Sequence, residues 1–273
     1  MTGQKVKDFV VANGARLYYE KQGEGPSILF IAGSTGDAGN FTRSADLLAD
    51  EFTVVAYDRR GNSRSVPPEG WAKTSIAEQA DDAAALIQAL RLEPSVVFGA
   101  SAGGPIALDL MIRYPRLLRA GILQDPAIFS ILPDPAAALA PRRALIAQAL
   151  QTEGPRGTIA ALMRYLNDDG VLAAIPADIL ERMLGNADTI LNIEGPGFAG
   201  WKAQSRDLAA LEVPVVLMIA SDTLPAYRQV MDRLAIQLRV EPLTVPGRHA
   251  FYYYRPEALA SELRPIVRRF AAR

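Results

Sequence analysis

The sequence predicts an α/β protein: a mainly parallel central sheet with helices on both faces and a helical cap inserted before the last strands. Short β-branched runs alternate with helical stretches along most of the chain, the sequence form of repeated strand–helix–strand units. Residues 126–207 break that alternation with helical patterns alone. A serine flanked by glycines falls where a strand run passes directly into a helix.

The elements follow in order. Residues 27–32 (SILFIA) form a continuous apolar run closed by Gly33, as expected of a strand buried on both faces. The runs at 53–57 (TVVAY), 95–98 (SVVF), 120–123 (AGIL), 214–220 (PVVLMIA) and 238–245 (LRVEPLTV) repeat the theme. Ser75, three residues before Glu78, has capping-box spacing and opens a helix expected over 76–90. The segment after Ser101 reads as a helix up to Tyr114, where Pro115 stops it. A last helix over 256–272 is amphipathic and ends Arg-rich, which suits the negative end of the helix dipole. Inside the interrupted stretch the helical candidates are 136–151, 156–167 and 177–190, punctuated by prolines. Strand character returns only at Val213. Strands on either side of the stretch need each other to complete one sheet. The expected organisation is therefore a core of residues 1–125 and 208–273 with a cap of residues 126–207, rather than two independent domains.

Composition narrows the chemistry. Hydrophobic residues make up 49% and charged residues 22% of the 273, a globular balance. Twenty-nine Lys and Arg against 30 Asp and Glu leave a net charge of −1, so no bulk positive field exists for nucleic acid or an anionic membrane surface. Cysteine is absent, which removes disulfides, thiolate nucleophiles and cysteine-ligated metal sites. His249 is the single histidine, which excludes histidine-rich metal centres. No cofactor and no metal are expected. The N-terminus lacks the apolar core of a signal peptide, and no apolar run approaches the roughly 18 residues that cross a bilayer. A soluble, cytoplasmic protein is expected, with homo-oligomerisation left open.

Gly99-Ala100-Ser101-Ala102-Gly103 follows the strand at 95–98 and opens the next helix. A serine at such an apex needs positions two before and two after it that are nearly free of side chain, so that strand and helix can approach. Gly99 and Gly103 meet that need, and the Gly-x-Gly-x-x-Gly of a dinucleotide loop is missing here. A serine hydroxyl becomes a useful nucleophile only beside a general base. His249 lies downstream in the loop between the last predicted strand and the C-terminal helix, where the carboxyl edge of the sheet would present it.

These residues resemble the α/β-hydrolase superfamily over essentially the whole chain. Residues 28–41 (ILFIAGSTGDAGNF) are similar to its oxyanion loop and residues 57–65 (YDRRGNSRS) to the segment after the next strand; the elbow and Pro246-Gly247-Arg248-His249 follow in order. Ala32 departs from the histidine frequent before the first loop glycine. The resemblance implies the α/β-hydrolase fold, Ser101 as nucleophile, His249 as base, and the N–H groups of Ala102 and Ser34 as oxyanion donors. Family precedent usually places the acid just after the strand at 214–220, but that position is Thr223, with Asp222 one residue short. The second place used is just after the preceding strand, where Asp125 stands. The zearalenone-lactonase-like group carries its acid there, and the chain is similar to that group in length, in Asn13-Gly14 and in its Pro-Gly-x-His. Asp125 is the expected acid and Asp222 the alternative.

Superfamily dehalogenases and epoxide hydrolases are generally built on an aspartate nucleophile, so Ser101 points to acyl transfer. The expected function is a serine hydrolase acting on an ester or lactone of a hydrophobic small molecule. Fold and triad also support C–C bond hydrolysis, perhydrolysis, cofactor-free oxygenation or a slow-turnover ligand receptor.

Overall fold

The computed structural model describes residues 5–272; residues 1–4, part of the segment read above for a leader, lie outside the described residues, as does residue 273. Eight strands form one sheet: β1 (Val6–Ala12), β2 (Ala15–Gln22), β3 (Ser27–Ile31), β4 (Thr53–Tyr57), β5 (Ser95–Ala100), β6 (Leu118–Gln124), β7 (Val215–Ala220) and β8 (Leu243–Val245). Their order is β1-β2-β4-β3-β5-β6-β7-β8, with β1 and β2 antiparallel to their neighbours and every other pair parallel.

Successive strand side chains point to opposite faces, and both faces of this sheet are covered. Ile28 and Phe30 of β3 join a core beneath α1 (Thr42–Leu48) and the C-terminal helix, while Leu29 and Ile31 join a second core under α2 (Ile76–Ala89) and α3 (Gly103–Arg113). That double burial explains why the strand reads as an unbroken apolar run. Between β6 and β7, the described residues contain no strand. There stand α4 (Pro135–Thr152), α5 (Gly154–Leu166), α6 (Gly170–Ala174), α7 (Ala177–Gly185), a π-helical turn (Thr189–Glu194), α8 (Gly195–Ala199) and α9 (Ser205–Ala209). The chain ends with α10 (Pro225–Leu238), β8 and α11 (Pro256–Ala271). No helix among the described residues is long and apolar enough to cross a membrane.

Four features differ from the expectation. The β1–β2 hairpin was not anticipated; its turn is Asn13-Gly14 at φ 47° and 75°, the left-handed pair of a type I′ turn. Helix α10 was also missed. The run at 238–245 keeps only its last three residues as strand, because Leu238 closes α10, Arg239 adopts a left-handed cap at φ 56°, and Pro242 has no N–H to give a ladder. Of the helical candidates in the insertion, 177–190 ends early at Gly185.

Candidate active site

Ser101 sits one residue past β5 with φ 51°, a left-handed backbone that a residue bearing Cβ tolerates only when its surroundings hold it. They do so here. Its N–H donates to the Gln124 carbonyl (2.9 Å), and its own carbonyl accepts from the N–H groups of Gly104 and Ala127 (2.9 Å each). A Cβ on Gly103 would lie 2.3 Å from the Ile31 carbonyl oxygen, and one on Gly99 2.5 Å from that of Gly103. Side-chain-free positions on both sides of the serine are therefore a packing necessity. Ala102 directly precedes α3, so its N–H has no acceptor one helical turn back and stays free for a ligand.

His249 is buried, in the loop between β8 and α11. Its carbonyl accepts from Gln124 Nε2 (2.9 Å), and the next N–H, of Ala250, donates to Asn167 Oδ1 (2.7 Å). Its Nδ1 lies 3.2 Å from Asp125 Oδ2. Asp125 is fully buried at the end of β6 with φ 38°, and its other oxygen accepts from the Ala220 N–H (3.3 Å). Asp222 stands elsewhere: it is exposed on the turn after β7, where its N–H donates to Gly247 (2.9 Å). The Nε2 of His249 is buried without a hydrogen-bond partner. Ser101, His249 and Tyr227 all line one cavity. Hydrogen bonds between nucleophile and base are often long or misaligned before substrate enters.

The cavity has a volume of about 680 Å³ and runs between the sheet's carboxyl edge and the helical insertion. Gly33 and Ser34 form its wall beside Ser101. Arg59, wholly buried, donates from Nη2 to both of their carbonyl oxygens (3.1 Å each). The same guanidinium is paired with Glu194 of the insertion, Nη1 to Oε1 at 2.6 Å, and Asn62 donates to that oxygen at 2.8 Å. One ion pair thus ties the insertion to the loop that carries Ser34. Nearby, burial pushes the Tyr253 phenol up to about 12, so it stays protonated at neutral pH. Among the described residues, no group of three or more His, Cys, Asp and Glu side chains could hold a metal ion.

Residues 28–262 match the model of the alpha/beta hydrolase family. The chain belongs to the alpha/beta hydrolase family. It is 31% identical over 250 residues to the uncharacterized hydrolase YraK of Bacillus subtilis (strain 168), covering 88% of each chain. Among solved structures it is similar to a thermophilic esterase from Thermogutta terrifontis (TM-score 0.78, 24% identity, 98% of this chain and 99% of that one). It is also similar to the enol-lactonase from Burkholderia xenovorans LB400 (TM-score 0.78, 17% identity, 95% and 99%). Both likenesses establish shared architecture.

Several residues of this hydrolase's site carry no sequence motif. Tyr227, on the unforeseen α10, holds its ring 4.3 Å from that of His249, tilted by 45°. Its place near Pro225 at a helix start was readable, but its approach to His249 depends on how α10 packs. Glu194 sits in a π-helical turn and Arg59 in the 57–65 segment; only the folded chain joins them.

That pair makes a stability prediction. Removing one partner of a buried ion pair leaves the other charge uncompensated, at a cost of about 3–5 kcal/mol. Glu194→Gln is expected to lower the unfolding free energy of the hydrolase by about 3 kcal/mol, read from the denaturant midpoint at constant slope. A change below about 0.5 kcal/mol would show that the pair is dispensable.

Proposed function

We propose that the protein is a cofactor-independent serine hydrolase that cleaves a carboxylic ester or lactone of a hydrophobic small molecule through an acyl-enzyme. The observation that carries this reading is His249 Nδ1 held 3.2 Å from the buried Asp125, in a cavity whose wall includes the strained Ser101. In the reacting state the Ser101 hydroxyl donates to His249 Nε2. Its oxygen then attacks the carbonyl carbon while Nε2 takes the proton. Asp125 accepts from Nδ1–H, fixes the tautomer and stabilises the imidazolium. The carbonyl oxygen, now carrying the negative charge, is received by the N–H groups of Ala102 and Ser34. Collapse breaks the ester C–O bond, and the leaving alcohol takes the proton from His249. Water repeats the sequence against the acyl-serine and restores the enzyme.

Residues 126–207 act as the cap in this reading. Leu162, Met163, Leu166, Ile190 and Phe198 from that segment line the cavity, which suits an apolar substrate body.

The test is labelling by a fluorophosphonate, with the modified residue identified by mass spectrometry, followed by turnover of short acyl esters and of a resorcylic macrolactone. Labelling at Ser101 with turnover of at least one substrate class is expected. Labelling with binding but negligible turnover would instead make the protein a receptor, and no labelling would remove the serine mechanism.

A further inference from the structure

The wall contributed by α4 is interrupted by a charge. Pro135, Leu139, Arg142 and Ile146 fall four, three and four residues apart, which is one stripe of a helix, and all four line the cavity. Three are apolar, and the third position of the stripe holds a guanidinium. Arg142 is half-buried, and its Nε is shielded from solvent with no hydrogen-bond partner. Among the described residues no carboxylate forms an ion pair with it, nor with Arg143 or Lys202, which line the same cavity. Glu194, the carboxylate on the wall, is already committed to Arg59. The cavity therefore carries an excess of positive charge.

Arginine does not relieve such a situation by losing its proton, so a guanidinium facing an apolar cavity keeps its charge and its desolvation cost until an anion meets it. Its location relates it to the chemistry. Burial raises the Tyr227 phenol above its ordinary range, while the charge of Arg142 pulls it down. Arg142 thus lies within electrostatic reach of Tyr227, whose ring is 4.3 Å from that of His249.

Building on the serine hydrolase reading above, we propose that Arg142, supported by Arg143 and Lys202, is an anion subsite, and that the substrate carries a carboxylate beside the ester or lactone that Ser101 opens. A guanidinium matches a planar carboxylate with two parallel hydrogen bonds. The apolar neighbours on the stripe fit the methylene chain between the two functional groups.

The test compares kcat/KM for two esters of one size, 4-nitrophenyl hydrogen adipate and 4-nitrophenyl methyl adipate, which differ only in a free against a methylated carboxylate. The wild type is expected to favour the acid at least tenfold, with the preference shrinking as salt rises. In Arg142→Met the ratio is expected to fall at least tenfold, mainly through KM for the acid, and Arg142→Lys should retain part of it. Because the ratio is taken within each variant, a partly folded preparation does not alter it. Turnover of both esters without preference, or an unchanged ratio in Arg142→Met, would overturn the anion subsite and leave the hydrolase reading standing. Failure of the wild type to turn over either ester, with no fluorophosphonate label on Ser101, would overturn both.

Discussion

Ser101→Ala is expected to lower kcat on the best ester by more than about 10⁴-fold, because removing the nucleophile of such a triad costs up to about 10⁶ and leaves only oxyanion binding and substrate positioning. The fold should survive the change. Ser101 already holds φ 51° with a Cβ in place, so alanine inherits the same backbone strain and adds none. The Ser101 contacts that fasten the elbow to Gln124, Gly104 and Ala127 are made by its backbone and persist. The change removes a small hydroxyl from the cavity wall and none of those backbone bonds. The variant should therefore show near-native circular dichroism and thermal unfolding, no fluorophosphonate label and no burst of released alcohol. Retention of more than about one per cent of turnover in a natively folded variant would place the nucleophile elsewhere.

The parts of the fold that were legible and those that were not divide along burial. Strands β3 to β7 have neighbours on both edges and lie between the two cores, so each carries an apolar run of four or more residues that announces it, in β6 residues 120–123 between Arg119 and Gln124. Strand β1 is an edge strand with mostly exposed or half-buried side chains, and its residues (VKDFVVA) lack both the continuous run and a clean alternation. Asn13-Gly14 was its readable signal, the dipeptide that a two-residue hairpin turn favours. The candidate site divides differently. Ser101, His249 and Asp125 all stand in loops at the carboxyl edge of parallel strands, so strand order alone brings them near one another. Arg142, Glu194 and Tyr227 stand on helices, where their spacing matches ordinary packing and gives no sign of what they face. Their meaning depends on the angle at which the insertion and α10 lie over the sheet.

Asp125→Asn should cost about 10⁴ in rate, the size known for the corresponding change in the serine-protease template, and Asp222→Asn should stay within about tenfold of the wild type. The contrast rests on what each carboxylate touches. Asp125 is buried, with one oxygen 3.2 Å from His249 Nδ1 and the other accepting from the Ala220 N–H. Asparagine fits the same volume and tolerates φ 38°, so the backbone and the bond from Ala220 can be kept. What changes is the donor and acceptor pattern. An amide nitrogen turned toward Nδ1 makes that atom an acceptor, which places the proton on Nε2, where it cannot take the proton of Ser101. With the amide oxygen there instead, the tautomer is correct but the imidazolium loses its compensating charge in a buried setting. Either way the rate falls while the fold remains, and the loss should appear in kcat and kcat/KM together. Asp222 is exposed, and its backbone N–H, the group bonded to Gly247, is unaltered by the substitution. A surface change of that kind moves stability by no more than about half a kcal/mol. Should Asp222→Asn prove the damaging substitution and Asp125→Asn the mild one, the histidine would have to be oriented by the turn after β7 in the working enzyme, and the loop bearing His249 would have to leave its anchors on Gln124 and Asn167 to reach it.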